Sequence, residues 1–334
     1  MTRHGLVTRT AAAAVFCGLL AVSQLAAAAE NTIRFGWPEP PDTPAGQSIM
    51  LFKQLVEERS NGAIEVQTFP SLQLGPIVEE IEGVRSGTQE MMLSTPAWFS
   101  RFYSKIDVLS MPYLVTNWDQ AERMITSDAF DALVAEAEEA TGIKIMGAFP
   151  LGFRNVINTS GPIRDLEDFA GLKIRLQNSP AQLATFRELG ANPVALPWDG
   201  LYQAVQTGVV DGMESPMTTL YSHKFYEVAT YVSKTRHFYE PFLVYMSKDF
   251  FDGLSEEHQT IVREAIEEAE AKGFELARQQ TAEAEQKLIE AGAEVNDVAP
   301  EVLEKLQETV VPVYEEFNDK LEPHLSALRE AAAE

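Results

Sequence analysis

The fold class is decided by residues 171–213, GLKIRLQNSPAQLATFRELGANPVALPWDGLYQAVQTGVVDGM, in which strand and helix patterns alternate. Short apolar runs at 172–176, 192–195 and 209–213 are bounded by Gly, Pro or polar residues and predict strands. The segments between them, 179–189 and 199–207, predict helices. This alternation is typical of an α/β fold with a largely parallel sheet.

The same alternation is present in the residues that precede this stretch. It predicts strands at 32–37, 63–69, 90–94 and 143–149 and helices at 45–60, 73–87 and 118–140. A second series begins near Phe153. We therefore expect two α/β lobes, followed by a closing helix at 300–331.

One helix is long enough to reach both lobes. Ser255 caps a helical pattern that continues to Ala291, with Gly292 beyond its end. About 37 residues correspond to about 55 Å. The alternative is two helices broken at Gly273, but a packed helix tolerates the roughly 1 kcal/mol cost of an internal glycine, which favours one helix. The apolar face predicted to meet the lobes is Ile261, Ala265, Ile266, Ala269, Phe274 and Ala277.

Composition excludes several kinds of protein. The chain has 334 residues, 45% of them hydrophobic, and a net charge of −24. This apolar content is typical of a folded protein and too high for a disordered one. The acidity argues against binding to nucleic acid or to an anionic membrane surface. It does not argue against a small anionic ligand, which a few local arginines are enough to bind.

Residues 1–29 have the pattern of a secretory signal peptide. Arg3 and Arg9 precede an uncharged apolar run at 11–22, and small residues at 27–29 offer a cleavage site near Ala29. A membrane anchor is the weaker alternative because the run is shorter than the ~20 residues that span a bilayer. Cleavage would remove the single cysteine, Cys17, and change the net charge from −24 to −26. An exported chain without disulfides suits a bacterial periplasm.

Patterns of catalytic and metal sites are missing from the sequence. It contains no G-x-S-x-G, G-x-x-x-x-G-K-[ST] or H-E-x-x-H motif, and the histidines after residue 29 (His223, His237, His258 and His324) lack metal-ligand spacing. We therefore expect no catalytic residues, no metal and no cofactor. The abundant carboxylates leave open a secreted hydrolase that uses a pair of them. A scaffold or adhesion protein is a third possibility.

Two arginines are candidates for ligand binding because of their positions in the predicted elements. Arg154 comes at the start of the second series, and Arg175 lies near the carboxyl end of the predicted strand 172–176. Ligands of open α/β sheets bind beyond the carboxyl ends of strands, and a guanidinium pairs with a carboxylate through two parallel hydrogen bonds. Spacing alone nevertheless favours surface ion pairs for both arginines.

Several motifs resemble one family over nearly the whole chain after residue 29. They are GAIEVQTFPSLQLG at 62–75, LSMPYL at 109–114, GLKIRLQ at 171–177, LGANPVALPW at 189–198, YQAVQTGVVDG at 202–212 and KFYEVA at 224–229. In this order they resemble the DctP-type solute-binding proteins of tripartite ATP-independent periplasmic (TRAP) transporters.

The resemblance implies a two-lobed α/β fold of the periplasmic-binding-protein type, with a long C-terminal helix bracing both lobes. It implies discontinuous lobes, with crossings near Leu151 and Glu240 and along the long helix. The corresponding boundaries are 30–151 plus 241–280 for lobe I and 152–240 plus 281–334 for lobe II.

The resemblance also implies a ligand site between the lobes. Arg175 matches the arginine that binds the ligand carboxylate, Arg154 a supporting arginine, and Trp198 a position that packs on the ligand. Ser215 stands where many relatives have an asparagine that orients the carboxylate, and a hydroxyl has one donor and a shorter reach than an amide.

Five further residues are weaker candidates for ligand contact. Trp37 ends the first strand, Gln73 opens the predicted helix 73–87, and Gln177 and Asn178 follow Arg175 at the end of its strand. His237 matches a position that often carries histidine, where a structural hydrogen bond explains it equally well.

The function implied is capture of a small organic acid in the periplasm and its delivery to TRAP membrane permease subunits, without enzymatic activity. Tryptophans and amides near the expected cleft favour a sugar acid or hydroxy acid, with dicarboxylates, keto acids and aromatic acids as alternatives. We expect a monomer.

Overall fold

The computed structural model describes residues 29–334, so the predicted signal peptide and Cys17 lie outside the described residues, apart from Ala29. The strands are β1 Asn31–Gly36, β2 Ile64–Phe69, β3 Met91–Ser94, β4 Ile143–Asn158, β5 Lys173–Leu176, β6 Asn192–Ala195, β7 Gly212–Ser215, β8 Tyr231–Ser247 and β9 Glu294–Asp297.

Helices surround this sheet. They are α1 Pro44–Arg59, α2 Ile77–Ser86, α3 Pro96–Phe99, α4 Trp118–Ile125, α5 Asp128–Thr141, α6 Pro180–Glu188, α7 Leu201–Gln206, α8 Met217–Ser222, α9 Lys248–Gly253, α10 Glu256–Glu290, α11 Pro300–Thr309, α12 Val311–Leu321 and α13 His324–Ala333. Short 3-10 helices lie at Ser104–Ser110, Leu166–Phe169 and Phe225–Glu227.

The sheet has the order β2-β1-β3-β8-β4-β7-β5-β6, and β9 pairs with β8. Its two outer parts, β2-β1-β3 and β7-β5-β6, are parallel, as the strand-helix alternation predicts. Its centre is different, because β4 and β8 pair antiparallel with each other and with the outer parts. The fold class is confirmed, and the sheet is mixed rather than largely parallel.

The two central strands are much longer than sequence patterns indicate. The strand predicted at 143–149 continues to Asn158, giving 16 residues, and β8 has 17 residues where no strand was predicted. Both strands are buried on both faces along most of their length, so they lack the alternation that identifies a half-exposed strand. Proline and glycine at the 150–152 and 240–241 pairing coincide with an irregular register, which is typical of a bulge.

The long helix is continuous, as predicted. Helix α10 has 35 residues, and Ser255 caps its first turn by accepting a hydrogen bond from the His258 amide. All six residues predicted to face the lobes are buried. The helix contributes to three apolar clusters in turn, through Ile261 at one end, Phe274 in the middle and Leu288 at the other end. It therefore ties both ends of the sheet together.

Two other predicted helices are broken. The helix predicted at 118–140 is two helices, because the Ser127 side chain accepts a hydrogen bond from the Phe130 amide and starts α5 anew. The helix predicted at 300–331 is three, with Pro312 in the first turn of α12 and Pro323 before α13. Proline lacks an amide donor and clashes with the preceding turn, so each one begins a new helix.

Candidate functional site

A narrow cavity lies at the carboxyl ends of the parallel strands, where ligands of open α/β sheets bind. Its polar lining is Glu39, Ser94, Thr95, Arg154, Gln177, Ser215 and Thr219, and its apolar lining is Pro38, Ile77, Trp98, Leu151, Trp198 and Phe242. These residues come from both outer parts of the sheet and from the central strands between them.

Arg175 is a buried cation beside this cavity. Its side chain is fully buried on β5, and only its Nε has a partner, the Leu196 carbonyl at 2.9 Å. Among the described residues, Nη1 and Nη2 have no hydrogen-bond partner. The guanidinium lies 5.8 Å from the Trp98 ring and 5.7 Å from the Trp198 ring, and both rings line the cavity. Burial lowers the pKa of Arg175 to about 9, so the side chain stays charged at neutral pH.

Arg154, in contrast, is engaged within the protein. Its Nη2 donates to the Glu214 side chain and carbonyl, both at 2.8 Å, its Nε to the second Glu214 oxygen, and its Nη1 to Glu240 at 2.7 Å. All three side chains are buried. Burial lowers the pKa of Arg154, but the two carboxylates outweigh it and raise the pKa above its ordinary value. Arg154 lines the cavity with its charge already balanced.

The two carboxylates respond differently to this arginine. Burial raises the pKa of Glu214, but Arg154 outweighs it, and the net shift is downward. Burial dominates for Glu240, raising its pKa to about 7. A carboxylate pair thus exists beside the cavity, as the hydrolase alternative requires, but both members are held by one arginine.

His237 belongs to the same buried network. Its Nε2 is 3.3 Å from Glu214, and its Nδ1 is 2.7 Å from the Thr235 hydroxyl. Burial lowers the pKa of His237 despite the neighbouring Glu214, which favours a neutral ring that donates to Glu214 and accepts from Thr235. The structural role that the sequence left open for His237 is what its contacts provide.

Two polar contacts cross the cavity. The Thr95 hydroxyl after β3 donates to Gln177 after β5 at 2.9 Å. Glu39 after β1 accepts from Thr219 of α8 at 3.1 Å and lies 3.1 Å from His223 Nε2. Burial lowers the pKa of His223, but Glu39 outweighs it and the net shift is upward. The two outer parts of the sheet are thus in direct contact around the cavity.

The structure brings some of the predicted site residues together and leaves others apart. Arg154, Gln177, Trp198 and Ser215 line the cavity, and Arg175 lies against its tryptophans. The other four candidates are not among the lining residues. Trp37 is buried in the core beside Phe35, His237 is buried in the network around Glu214, and Gln73 and Asn178 are exposed. Gln73 does not open a helix, because α2 begins at Ile77 after Pro76.

Sequence reasoning missed Glu39, Ser94, Thr95, Trp98 and Thr219. All but Thr219 end a parallel strand or follow one within a few residues. Because ligands bind beyond the carboxyl ends of strands, this position in the sequence could have identified them. Trp98 is in the four-residue helix α3, which the sequence analysis did not assign.

Residues 29–334 contain no group of three or more His, Cys, Asp or Glu side chains placed to hold a metal ion. Within the same range, no helix combines the length and the apolar character needed to cross a bilayer.

Comparison with known proteins identifies the family. Residues 35–320 match the model of the bacterial extracellular solute-binding proteins, family 7, called DctP. The chain belongs to the DctP family. Members of this periplasmic family are solute-binding transport proteins, so this DctP-family chain is not an enzyme, and the hydrolase alternative has no support.

Individual relatives of this DctP protein bind organic acids. The 2,3-diketo-L-gulonate-binding periplasmic protein YiaO of Escherichia coli is 33% identical over 86% of this chain and 87% of its own length. A sugar acid binding protein of Advenella mimigardefordensis, solved with galactonate, has a TM-score of 0.88 and 30% identity, covering 92% of this chain and 99% of that one. A TRAP periplasmic solute-binding protein of Sulfitobacter, solved with β-D-galacturonate, has a TM-score of 0.83 and 28% identity, covering 90% and 98%.

Proposed function

We propose that this chain captures a small hydroxylated organic acid through Arg175 and delivers it to the permease subunits of a TRAP transporter. In this proposal residues 1–29 direct export and are removed near Ala29, and the protein acts in the periplasm as a monomer. Sugar acids and hydroxy acids are the favoured ligands. The named relatives that bind diketogulonate, galactonate and galacturonate support this class.

One observation carries the proposal. The Arg175 guanidinium is buried and charged, and in residues 29–334 its two Nη atoms have no hydrogen-bond partner. Leaving buried charged donors unpaired is costly. A ligand carboxylate would accept two parallel hydrogen bonds from Nη1 and Nη2 and balance the charge in one step. Arg154 contributes indirectly, because Glu214 and Glu240 hold its charge.

The two lobes are proposed to meet in the central strands, with boundaries at 30–151 plus 241–280 and 152–240 plus 281–334. The sheet pairs the two proposed crossings directly, since Pro150 faces Pro241 and Gly152 faces Glu240. The irregular register at this pairing gives the strands a place to bend.

Closure follows from the same arrangement. Trp98 belongs to lobe I and Trp198 to lobe II, and both rings approach the Arg175 guanidinium. A ligand bound to Arg175 contacts both rings only when the lobes are together, so it binds the closed form more tightly and shifts the population toward it. The closed form is the species proposed to dock on the permease.

Isothermal titration of the mature protein with D-galactonate, D-erythronate and succinate tests the clamp. Arg175→Ala should weaken binding of the cognate acid by about 100-fold or more, because it removes a desolvated, charge-assisted pair. Arg175→Lys keeps the charge but loses the fork of donors, and should recover part of the affinity. Arg187→Ala, which removes an exposed arginine from α6, is the matched control and should bind as wild type. Wild-type affinity in Arg175→Ala would refute the clamp.

A further inference from the structure

Glu39 is a carboxylate in a cavity that is proposed to bind an acid. We propose that Glu39 selects the ligand: it accepts a hydrogen bond from a ligand hydroxyl and repels a second carboxylate, so hydroxylated monocarboxylates bind and dicarboxylates of the same length do not. This inference rests on the proposed function, because it takes Arg175 as the partner of the first carboxylate.

The position of Glu39 is set by contacts on both of its oxygens. The side chain is 3% exposed and lines the cavity with Arg154 and Trp198. Its Oε1 accepts from the Thr219 hydroxyl at 3.1 Å, and its Oε2 is 3.1 Å from His223 Nε2. Each carboxylate oxygen accepts two hydrogen bonds. Oε1 therefore retains one acceptor position for a ligand hydroxyl.

The charges around the cavity leave room for one ligand carboxylate. The charge of Arg154 is held by Glu214 and Glu240. In the described part of the chain, Arg175 has no such acid partner. One ligand carboxylate balances Arg175. A second one would face the buried Glu39 carboxylate, whose ionisable contact among the described residues is the His223 ring at 3.1 Å, and like charges juxtaposed away from water repel.

A hydroxyl at the same place avoids this cost. It has a proton to donate to Glu39, whereas an ionised carboxylate has none. Hydroxyl groups of Ser94, Thr95 and Thr219 line the same cavity and extend its capacity for a hydroxylated chain. The end of the ligand remote from Arg175 is therefore expected to be an alcohol.

Glu39 also joins the two lobes through Thr219 and His223. A weaker affinity after replacing Glu39 therefore does not by itself show which of the two roles was lost. Weakening the inter-lobe contact lowers the affinity for every ligand by the same factor. Losing the charge selection instead changes the ratio between ligands. The ratio of dissociation constants for two ligands that differ at one end separates the two effects.

The ligand pairs are D-galactonate with galactarate, and D-erythronate with meso-tartrate, which differ only in having a terminal alcohol or a terminal carboxylate. Wild-type protein should bind the monoacid of the preferred pair at least about tenfold more tightly than the diacid. In Glu39→Gln, whose amide both donates and accepts, this ratio should fall by about tenfold or more. Ser222→Ala is the matched control, because it removes a neutral hydroxyl 3.4 Å from Glu39 Oε2 and changes no charge, so any loss of affinity should be shared and the ratio should stay as in wild type.

An unchanged ratio in Glu39→Gln overturns the inference, as does a wild-type protein that prefers diacids. The wild-type ratio needs no variant, so the inference stays testable if Glu39→Gln fails to fold. Failure of the proposed function gives a different result from failure of this inference. It would show as wild-type affinity for the acid in Arg175→Ala, or as no binding of any of the four acids to wild type, which would overturn both.

Discussion

Removing Arg154 should destabilise the protein strongly, and more so as the pH rises. Arg154 donates to both Glu214 and Glu240, and all three side chains are at most 1% exposed. Arg154→Ala leaves two carboxylates buried without their cation. Breaking a buried pair by removing one partner costs about 3–5 kcal/mol. At about 2 °C per kcal/mol for a chain of this size, the melting temperature should fall by about 6–10 °C at neutral pH.

The pH dependence follows from the two carboxyl groups. With Arg154 present, the pKa of Glu214 is lowered, so its pairing stabilises the fold above its ordinary pKa and is lost as the pH falls through the folded pKa. The pKa of Glu240 is already raised to about 7 with Arg154 present, so its ionisation weakens the wild-type fold as the pH rises from about 4.5 to 7. Without Arg154, burial outweighs the remaining contacts with His237 and Gln182, so the pKa of Glu214 becomes raised and that of Glu240 rises further. Stability of the variant then decreases as the pH rises from about 4.5, the ordinary value, through the raised values. The difference between wild type and variant therefore widens from pH 5 to pH 8.

Thermal and urea unfolding of the mature protein at pH 5 and pH 8 measure this difference. The triple variant Arg154→Ala with Glu214→Gln and Glu240→Gln removes the stranded charges as well, and should recover about half of the loss at pH 8. A difference below about 1 kcal/mol at pH 8, or one that is equal at the two pH values, would refute the account of the network.

Two further predictions concern packing and buried charge elsewhere. Gly273→Ala should lower the free energy of unfolding in urea by about 1–2 kcal/mol although alanine has the better helix propensity, because the added methyl would lie 2.7 Å from Ser48 Oγ and 3.0 Å from Pro150 Cδ. Adding Ser48→Ala should recover part of the loss. A Gly273→Ala protein more stable than wild type would contradict the close approach. Burial raises the pKa of Glu80 to about 7 although Gln89 donates to it, so its ionisation weakens the fold as the pH rises from about 4.5 to 7. Glu80→Gln should therefore stabilise by roughly 1–3 kcal/mol at pH 8 and have little effect at pH 4, and an equal effect at both pH values would contradict this origin.

Local patterns predicted the parts of the fold that local interactions create. The strands and helices between 171 and 215 were predicted to within a few residues, because each has its own periodicity, caps and flanking turns. The continuous helix α10 was predicted for the same reason. Helix breaks at Ser127, Pro312 and Pro323 were equally local, and attention to capping and proline would have found them.

Local patterns could not predict the two long central strands, β4 and β8. Residues of β4 and β8 are buried on both faces, and their pairing joins positions up to about 100 residues apart in sequence, such as Ile143 and Ser247. Only the assembled sheet makes those pairs, so no short window contains the signal.

The candidate site also combines features that the local sequence predicts with features that only folding creates. The sequence by itself determined the family, the α/β class and the placing of Arg175 near a strand's carboxyl end, because motif, periodicity and strand direction are all written locally. Only the tertiary structure decided that Arg154 is neutralised by Glu214 and Glu240 while Arg175 is not, and that Glu39 meets Thr219 across the cavity. Whether a buried charge is paired depends on which distant side chains share its low-dielectric surroundings, and those are brought together by folding alone.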